Sequence, residues 1–216
     1  MYKYILFDLD GTLTDPFEGI TRSVQYALNA FGVKDEPLEA LKCFIGPPLK
    51  ASFMEFYGFD SDTAVAAVEK YRERFADIGI YENRLFDGIP QMLEKLKKTG
   101  HVLAIASSKP TVYVERILQH FHIRQYFDHV VGSELDGRRT DKKEVVQAVL
   151  SDLHIEKNSR EAIMVGDRFH DVQGARACGL DCVGVTFGYG GKDELVQAGA
   201  AAVVDTVDAL YHFLAF

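Results

Sequence analysis

The sequence predicts an α/β protein in which a parallel sheet carries helices on both faces and a small all-helical domain follows the first strand. Two observations predict this. Short apolar runs of strand length alternate with stretches of helical spacing over most of the chain, the pattern of a parallel sheet covered by helices. Between residues 15 and 84, in contrast, helical spacing recurs without a convincing strand. The predicted architecture is therefore a Rossmann-like core with one helical insertion.

Length, composition and charge limit the functions that the chain can serve. Its 216 residues suffice for one ordinary domain with a small insertion, and 47% hydrophobic with 26% charged residues is typical of a globular protein. The net charge of −8 disfavours nucleic acid as a partner. No run approaches the roughly 18 apolar residues of a membrane span, the opening residues do not resemble a secretion signal, and the three cysteines lack C-x-x-C spacing. We therefore expect a cytoplasmic protein with reduced thiols and no membrane partner, either a monomer or a homodimer.

Six apolar runs predict strands, and six helical patterns alternate with them. The strands are predicted at Tyr4–Phe7, His101–Ala106, Ala162–Val165 and Cys182–Thr186, with weaker signals at His129–Val131 and Ala201–Val204. The helices are predicted at Ile89–Lys98, Thr111–Phe121, Lys142–Leu153, Val172–Cys178, Glu194–Ala198 and Val207–Leu214. This alternation assigns residues 1–14 and 85–216 to the α/β core domain.

Residues 15–84 are predicted to form the helical domain. Apolar residues from Ile20 to Phe31 repeat on one face of a helix. Ser61 is predicted to cap a second amphipathic helix, and the Gly-Pro-Pro within Phe44–Leu49 predicts a turn or loop between the two. A segment of about 70 residues is within the size range of small domains.

Two carboxylates, Asp8 and Asp10, follow the first predicted strand in the string Asp-Leu-Asp-Gly-Thr of Asp8–Thr12. A parallel sheet binds its ligands at the carboxyl ends of its strands, although Asp and Gly are also ordinary turn residues. Two carboxylates this close ionise together only when a cation lies between them; otherwise one keeps a proton. Mg²⁺ prefers oxygen ligands and binds one or two carboxylates together with a phosphate oxygen. The string therefore predicts a magnesium site.

A second acidic pair follows a later strand. Asp167 comes directly after the buried run Ala162–Val165 and is a candidate to complete the metal site. Asp171 lies four residues further on, so a helix that starts here would place it on the same face as Asp167. It is either the N-cap of the helix Val172–Cys178 or a residue that supports the metal ligands.

Hydroxyl and lysine candidates for phosphate binding complete the set. Ser107 and Ser108 follow the strand His101–Ala106, and their hydroxyl and backbone N–H groups suit an anion before a helix. A cation for the phosphate or the nucleophile would come from Lys142 or Lys143 at the start of a predicted helix. Lys142 is preferred, because it directly follows the N-cap-like Asp141, although both lysines also fit a solvated helix face.

Together these motifs resemble those of the haloacid dehalogenase superfamily. D-x-D-G-T matches Asp8–Thr12, the Ser/Thr motif matches Ser107, the lysine motif matches Lys142, and G-D-x-x-x-D matches Gly166–Asp171. The helical insertion between the first two motifs looks like the C1-type cap of that superfamily. The strings FDLDGTLTD, FIGPPL and VGDRFHD, with the Gly-Tyr-Gly of Phe187–Gly191, look most like the phosphoglycolate phosphatase-type subgroup.

The resemblance implies a phosphatase mechanism. Asp8 would attack the phosphorus of a phosphomonoester to form an aspartyl-phosphate, and Asp10 would protonate the leaving alkoxide and then activate water. Mg²⁺ would be held by the Asp8 side chain, the Asp10 carbonyl and Asp167, while Ser107 and Lys142 bind phosphate oxygens. The lysine often lies in a Gly-Lys-Pro setting in this superfamily, and the proline is missing here. The choice between the two lysines therefore stays open.

The substrate and several alternatives also stay open. A small phosphorylated metabolite such as phosphoglycolate is the first expectation, and a 5′-nucleotidase or a β-phosphoglucomutase-like isomerase would share the same core residues. A dehalogenase has no use for the acid Asp10, and a non-catalytic metal- or phosphate-binding protein would not need the complete set. Candidates for leaving-group recognition, each also explained as surface charge or core packing, are Arg22, Lys42, Lys50, Phe17, Phe44, Phe53 and Tyr57.

Overall fold

The structure, a computed structural model, describes residues 2–155 and 160–216. The chain forms two compact units, Met1–Asp15 with Leu85–Phe216 and Pro16–Arg84. A search of the described helices finds none with the length and apolar character that crossing a membrane requires.

A six-stranded parallel sheet forms the centre of the first unit, as predicted. In chain order the strands of the protein are β1 (Tyr4–Phe7), β2 (Thr14–Asp15), β3 (Arg84–Leu85), β4 (Val102–Pro110), β5 (His129–Ser133), β6 (Ala162–Gly166), β7 (Asp181–Val185) and β8 (Ala202–Val204). The sheet has the order β5-β4-β1-β6-β7-β8, and every pair in it is parallel. The apolar runs predicted all six of these strands because a strand buried on both faces needs a continuous apolar sequence.

The strand order reverses at β1. From β1 the chain continues to β4 and β5 on one side, and it then returns to β6, β7 and β8 on the other side. Ligands of open α/β sheets bind outside the carboxyl ends of the strands at such a reversal. The ends of β1, β4 and β6 are therefore the place to look for a site.

Helices cover the sheet, and successive side chains of β1 point to opposite faces. In chain order the helices are α1 (Phe17–Ala30), α2 (Leu49–Tyr57), α3 (Ser61–Phe75), α4 (Ile89–Lys98), α5 (Thr111–His120), α6 (Lys142–Asp152), α7 (Phe169–Ala177), α8 (Lys192–Ala198) and α9 (Val207–Ala215). On one face, Leu6 belongs to a buried cluster with Val149 of α6 and Val172 of α7. Phe7, the next residue, makes an edge contact with Phe127. Apolar side chains are thus buried on both faces of the sheet.

The second unit contains α1, α2 and α3 with short 3₁₀ segments at Leu38–Phe44 and Gly79–Tyr81. Its aromatic residues pack together, and Phe44 and Phe53 are buried with their ring centroids 4.9 Å apart. The predicted cap of α3 was placed one residue too late. The N-cap is Asp60, whose side chain accepts a hydrogen bond from the Thr63 N–H at 2.8 Å, and Ser61 is the first helical residue.

Two of the charged residues considered for leaving-group recognition have neighbours of opposite charge on their own helical segments. Arg22 pairs with Glu18 at 2.9 Å. Lys42 pairs with Glu39 and also lies over the ring of Phe17. Exposed pairs of this kind contribute little to stability, as expected for surface charges.

Candidate active site

The turn after β1 presents the first two carboxylates. Asp8 continues the sheet, because its N–H donates to the Val165 carbonyl at 2.9 Å. The chain then turns, with the Gly11 N–H donating to the Thr14 carbonyl at 2.7 Å. Gly11 has φ +82°, and a Cβ there would lie 2.2 Å from a carboxylate oxygen of Asp167. Only glycine therefore allows this turn to approach the end of β6 so closely.

Lys142 contacts three elements: the turn after β1, the strand β4 and the helix α7. Its Nζ lies 2.9 Å from Asp8 Oδ1 and 2.8 Å from Asp171 Oδ1, and it donates to the Ala106 carbonyl of β4 at 3.0 Å. Burial alone would lower the pKa of Lys142, but the charges of Asp171 and Asp8 raise it above its usual value. The lysine therefore carries a full positive charge beside Asp8. The neighbouring Lys143 is exposed, and its backbone N–H is bound by the Asp141 side chain at 2.7 Å.

Asp167 is fully buried at the end of β6 and is held by the loop after β7. The Tyr189 N–H donates to Asp167 Oδ2 at 2.7 Å, while the Tyr189 hydroxyl donates to Asp15. A Cβ at Gly190 would lie 1.8 Å from the Asp167 carbonyl oxygen, so this loop also needs glycine for close contact. Burial raises the pKa of Asp167 well above its usual value, and the charge of Asp171 raises it further.

Asp171 lies inside α7 and is not the N-cap. The helix begins at Phe169, three residues before the predicted start, and Asp171 Oδ2 accepts a hydrogen bond from the Arg168 N–H at 3.0 Å. The N-cap interpretation is therefore wrong. Burial raises the pKa of Asp171, and Lys142 opposes that rise. The residue supports the start of α7 with one oxygen and contacts Lys142 with the other.

Three of these carboxylates form a group that could hold a metal ion. Asp8, Asp167 and Asp171 each offer an oxygen within 4.8 Å of the others, and all three are buried. Hard oxygen donors in this number fit Mg²⁺, which binds carboxylates and keeps several waters. The resemblance to the haloacid dehalogenase superfamily implies that Asp10 holds the metal through its backbone carbonyl. Its carboxylate is not part of this group.

The side chain of Asp10 pairs with Lys109, which the sequence analysis missed. Lys109 Nζ lies 2.7 Å from Asp10 Oδ2, and both side chains are buried. Burial raises the pKa of Asp10, and the charge of Lys109 opposes the rise. Lys109 directly follows the candidate residues Ser107 and Ser108, so its place in the sequence could have marked it as a further site candidate. Local spacing, however, gives no reason to pair it with a carboxylate from another strand.

Ser107 and Ser108 lie within the irregular end of β4, not beyond it. The strand continues to Pro110, although its register with β5 shifts after Ala106. Ser107 is buried, and its hydroxyl accepts a hydrogen bond from the Lys109 N–H at 3.3 Å. Ser108 is half-buried, and its carbonyl accepts from Ser133 Oγ at 2.8 Å. Both serines thus belong to the same sheet edge as Asp8.

Curated relatives of this chain carry the names of more than one class of enzyme. The 5′-nucleotidase of Pseudomonas aeruginosa is 51% identical over 194 residues, which cover 90% of this chain and 87% of the relative. The tyrosine-protein kinase PtkA of Mycobacterium tuberculosis is 38% identical over 210 residues, 96% of this chain and 71% of that protein. Relatives named phosphoglycolate phosphatase match at 25–27% identity.

A solved structure supports the same fold. The crystal structure of a predicted phosphatase from Clostridium acetobutylicum has a TM-score of 0.97 and 48% identity, and the match covers 100% of this chain and 99% of that one. This structure and the phosphatase-named relatives confirm the predicted α/β fold and the predicted enzyme class, a phosphatase. The sequence model of the haloacid dehalogenase-like hydrolases matches residues 5–185, and the chain therefore belongs to that family.

Proposed function

We propose that the protein is a Mg²⁺-dependent phosphomonoester hydrolase in which Asp8 is the nucleophile. The observation that carries this proposal is the position of Asp8 at the strand reversal, 2.9 Å from the buried cation of Lys142 and among two further buried carboxylates. The Lys142 cation holds the Asp8 carboxylate at this strand end, where it can attack phosphorus. The same cation compensates negative charge on a transferred phosphoryl group.

Bonds are made and broken in two steps. A carboxylate oxygen of Asp8 attacks phosphorus, the bond from phosphorus to the leaving oxygen breaks, and Asp10 donates a proton to that oxygen. Asp10 then takes a proton from water, and the resulting hydroxide attacks phosphorus and releases Asp8 together with inorganic phosphate. Because burial raises the pKa of Asp10, this carboxyl group is suited to holding a proton for the first step. Ser107, Ser108 and Lys142 provide the donors for phosphate oxygens.

Magnesium fits the acidic group, because its members offer buried carboxylate oxygens in number and type suited to a hard divalent cation. Asp8 and Asp167 would hold the ion with the Asp10 carbonyl, and Asp171 stands beside them. When bound, the ion offsets negative charge on the phosphoryl group.

We infer that the substrate is a nucleoside 5′-monophosphate. The relative named 5′-nucleotidase is 51% identical, whereas those named phosphoglycolate phosphatase reach 25–27%. Phosphoglycolate, the first expectation from the sequence, is the second candidate, and a phosphoryl-transfer isomerase would need the same core residues. These substrates differ in the group that leaves, so a panel of esters separates them.

The test measures inorganic phosphate released from nucleoside 5′-monophosphates, phosphoglycolate and sugar phosphates, with Mg²⁺ and with a chelator. We expect release that needs Mg²⁺, that favours the nucleotides and that Asp8→Asn abolishes, because the amide is no nucleophile. The folded state of Asp8→Asn is checked by circular dichroism. Substantial release by this variant would remove Asp8 from the proposed role, and a preference for phosphoglycolate would overturn the substrate.

A further inference from the structure

We propose that Lys109 is a positioning residue that fixes the carboxyl group of Asp10 for proton transfer to the leaving ester oxygen and then from water. This inference rests on the proposed phosphatase function and deepens it. It gives a role to a buried lysine that neither the motif pattern nor the metal-binding group explains.

The two side chains are in close contact and are largely excluded from solvent. Lys109 Nζ lies 2.7 Å from Asp10 Oδ2, and the side chains are only 7% and 9% exposed. Charge-assisted hydrogen bonds at this distance are roughly twice as strong as neutral ones. An isolated buried charge would be costly on either side, so each group holds the other in place.

The backbone of Lys109 is anchored at the end of β4. Its N–H donates to the Ser107 hydroxyl at 3.3 Å, and the residue belongs to β4, whose register is irregular between Ala106 and Pro110. Lys109 therefore reaches from the end of one central strand to the turn that follows its neighbour, β1. A lysine on a mobile surface loop could not fix a carboxyl group in this way.

The two carboxyl oxygens of Asp10 differ in their hydrogen-bond partners. Oδ2 is bound by Lys109, whereas Oδ1 is buried and receives no hydrogen bond from the part of the chain that the structure describes. Oδ1 is therefore the oxygen that we assign to proton transfer. In the first step its O–H bond breaks and the proton moves to the leaving alkoxide; in the second step Oδ1 takes a proton from water. Lys109 keeps its own proton throughout and prevents the carboxyl group from rotating.

Lys142 contacts Asp8 and Asp171, and Lys109 contacts Asp10. If Lys109 were instead a ligand of the substrate phosphate, its loss would weaken every phosphate ester alike. If it acts through Asp10, its loss matters most for esters whose leaving oxygen needs a proton.

The experiment compares kcat/KM for a nucleoside 5′-monophosphate with kcat/KM for p-nitrophenyl phosphate. The leaving group of the first ester is a strongly basic alkoxide, and that of the second is a weakly basic phenolate. Lys109→Ala should lower the first value about 100-fold, the effect of a misplaced catalytic group. It should lower the second by about threefold or less, because general acid catalysis contributes little there. Lys109→Arg should restore part of the loss. Exposed Lys98→Ala is the matched control and should change neither value.

A double substitution separates the two roles further. Lys109→Ala is added to the Asp10→Asn variant, and a radiolabelled 5′-monophosphate allows the low residual rates to be measured. The added substitution should change kcat/KM by about twofold or less, because the effects of coupled residues are not additive. Equal losses on both esters that persist in this background would overturn the inference and make Lys109 a phosphate ligand. Lys109→Met, which keeps the apolar stem, replaces the alanine variant if that variant does not fold. Wild-type protein that hydrolyses neither ester would overturn the proposed function, and this inference with it.

Discussion

Lys142 is the residue on which the electrostatics of the candidate site depend most. It lies between Asp8 and Asp171 with its side chain 5% exposed, and no bulk water screens these charges. Desolvation makes such buried pairs weak contributors to stability in comparison with an apolar core. Removing one partner is different, because the remaining carboxylates keep their burial and lose their counter-ion.

We therefore expect Lys142→Met to lower the free energy of unfolding by about 3 kcal/mol or more and to abolish phosphate release, since an uncompensated buried charge costs that much. Lys143→Met is the matched control: this neighbouring lysine is exposed, and surface substitutions change stability by about 0.5 kcal/mol or less. Urea unfolding followed by circular dichroism measures both variants at neutral pH. A loss of activity in Lys143→Met with Lys142→Met unchanged would reverse the assignment of the two lysines.

At the scale of elements, the sequence predicted what depends on local pattern and missed what depends on contacts between elements. The strands followed from apolar runs, and Asp8 and Asp167 followed from their places at strand ends. The start of α7 was missed because the hydrogen bond from the Arg168 N–H to Asp171 extends the helix backwards. Lys109 and Tyr189 were missed as contacts of Asp10 and Asp167 because their partners are far away along the chain.

Asp128 shows how one exposed carboxylate ties elements together. It precedes β5, and its Oδ2 accepts from the Leu103 N–H of β4 at 2.9 Å and from Lys97 Nζ of α4 at 2.8 Å. Burial tends to raise the pKa of Asp128, but the bond from Lys97 and the N–H of Leu103 outweigh it, so the pKa is lowered. A carboxylate whose pKa is lowered in the folded state stabilises the fold at pH values above its pKa in the unfolded chain. This stabilisation disappears as the pH falls through the pKa of the folded state.

We expect Asp128→Asn to destabilise the protein by about 1 kcal/mol at pH 7, the usual scale for a partly exposed ion pair. The difference from the wild type should shrink as the pH falls below about 4, because the wild-type carboxylate then takes up its proton. Urea unfolding at a series of pH values measures this, with exposed Asp77→Asn as the control. A difference that stays constant over the whole series would show that Lys97 does not stabilise the ionised carboxylate.

The whole molecule carries a net charge of −8 and buries part of its negative charge in the first unit. Among the residues that the structure describes there, four carboxylates and two lysines are buried or nearly buried: Asp8, Asp10, Asp167 and Asp171, with Lys109 and Lys142. Burial raises the pKa of both Asp167 and Asp171. A carboxyl group with a raised pKa favours the folded state while it is protonated, and that contribution disappears as pH rises through the folded pKa. At neutral pH without a cation, this cluster therefore opposes folding.

A bound divalent cation should reverse that effect, so we expect Mg²⁺ to stabilise the whole fold. At a free concentration of 100 times its Kd, Mg²⁺ should raise the free energy of unfolding by about 2.7 kcal/mol, as for any ligand that binds only the folded state. In Asp167→Asn this gain should be lost. The metal-free variant should unfold at the same temperature as metal-free wild type or at a higher one, because it lacks a buried charge. Its amide oxygen can still accept the hydrogen bond from the Tyr189 N–H. Thermal unfolding with Mg²⁺ and with chelator at pH 7.5 and pH 5 measures the gain, which should be smaller at the lower pH because protons compete for the carboxylates. An equal Mg²⁺ gain in Asp167→Asn and wild type would remove Asp167 from the metal site.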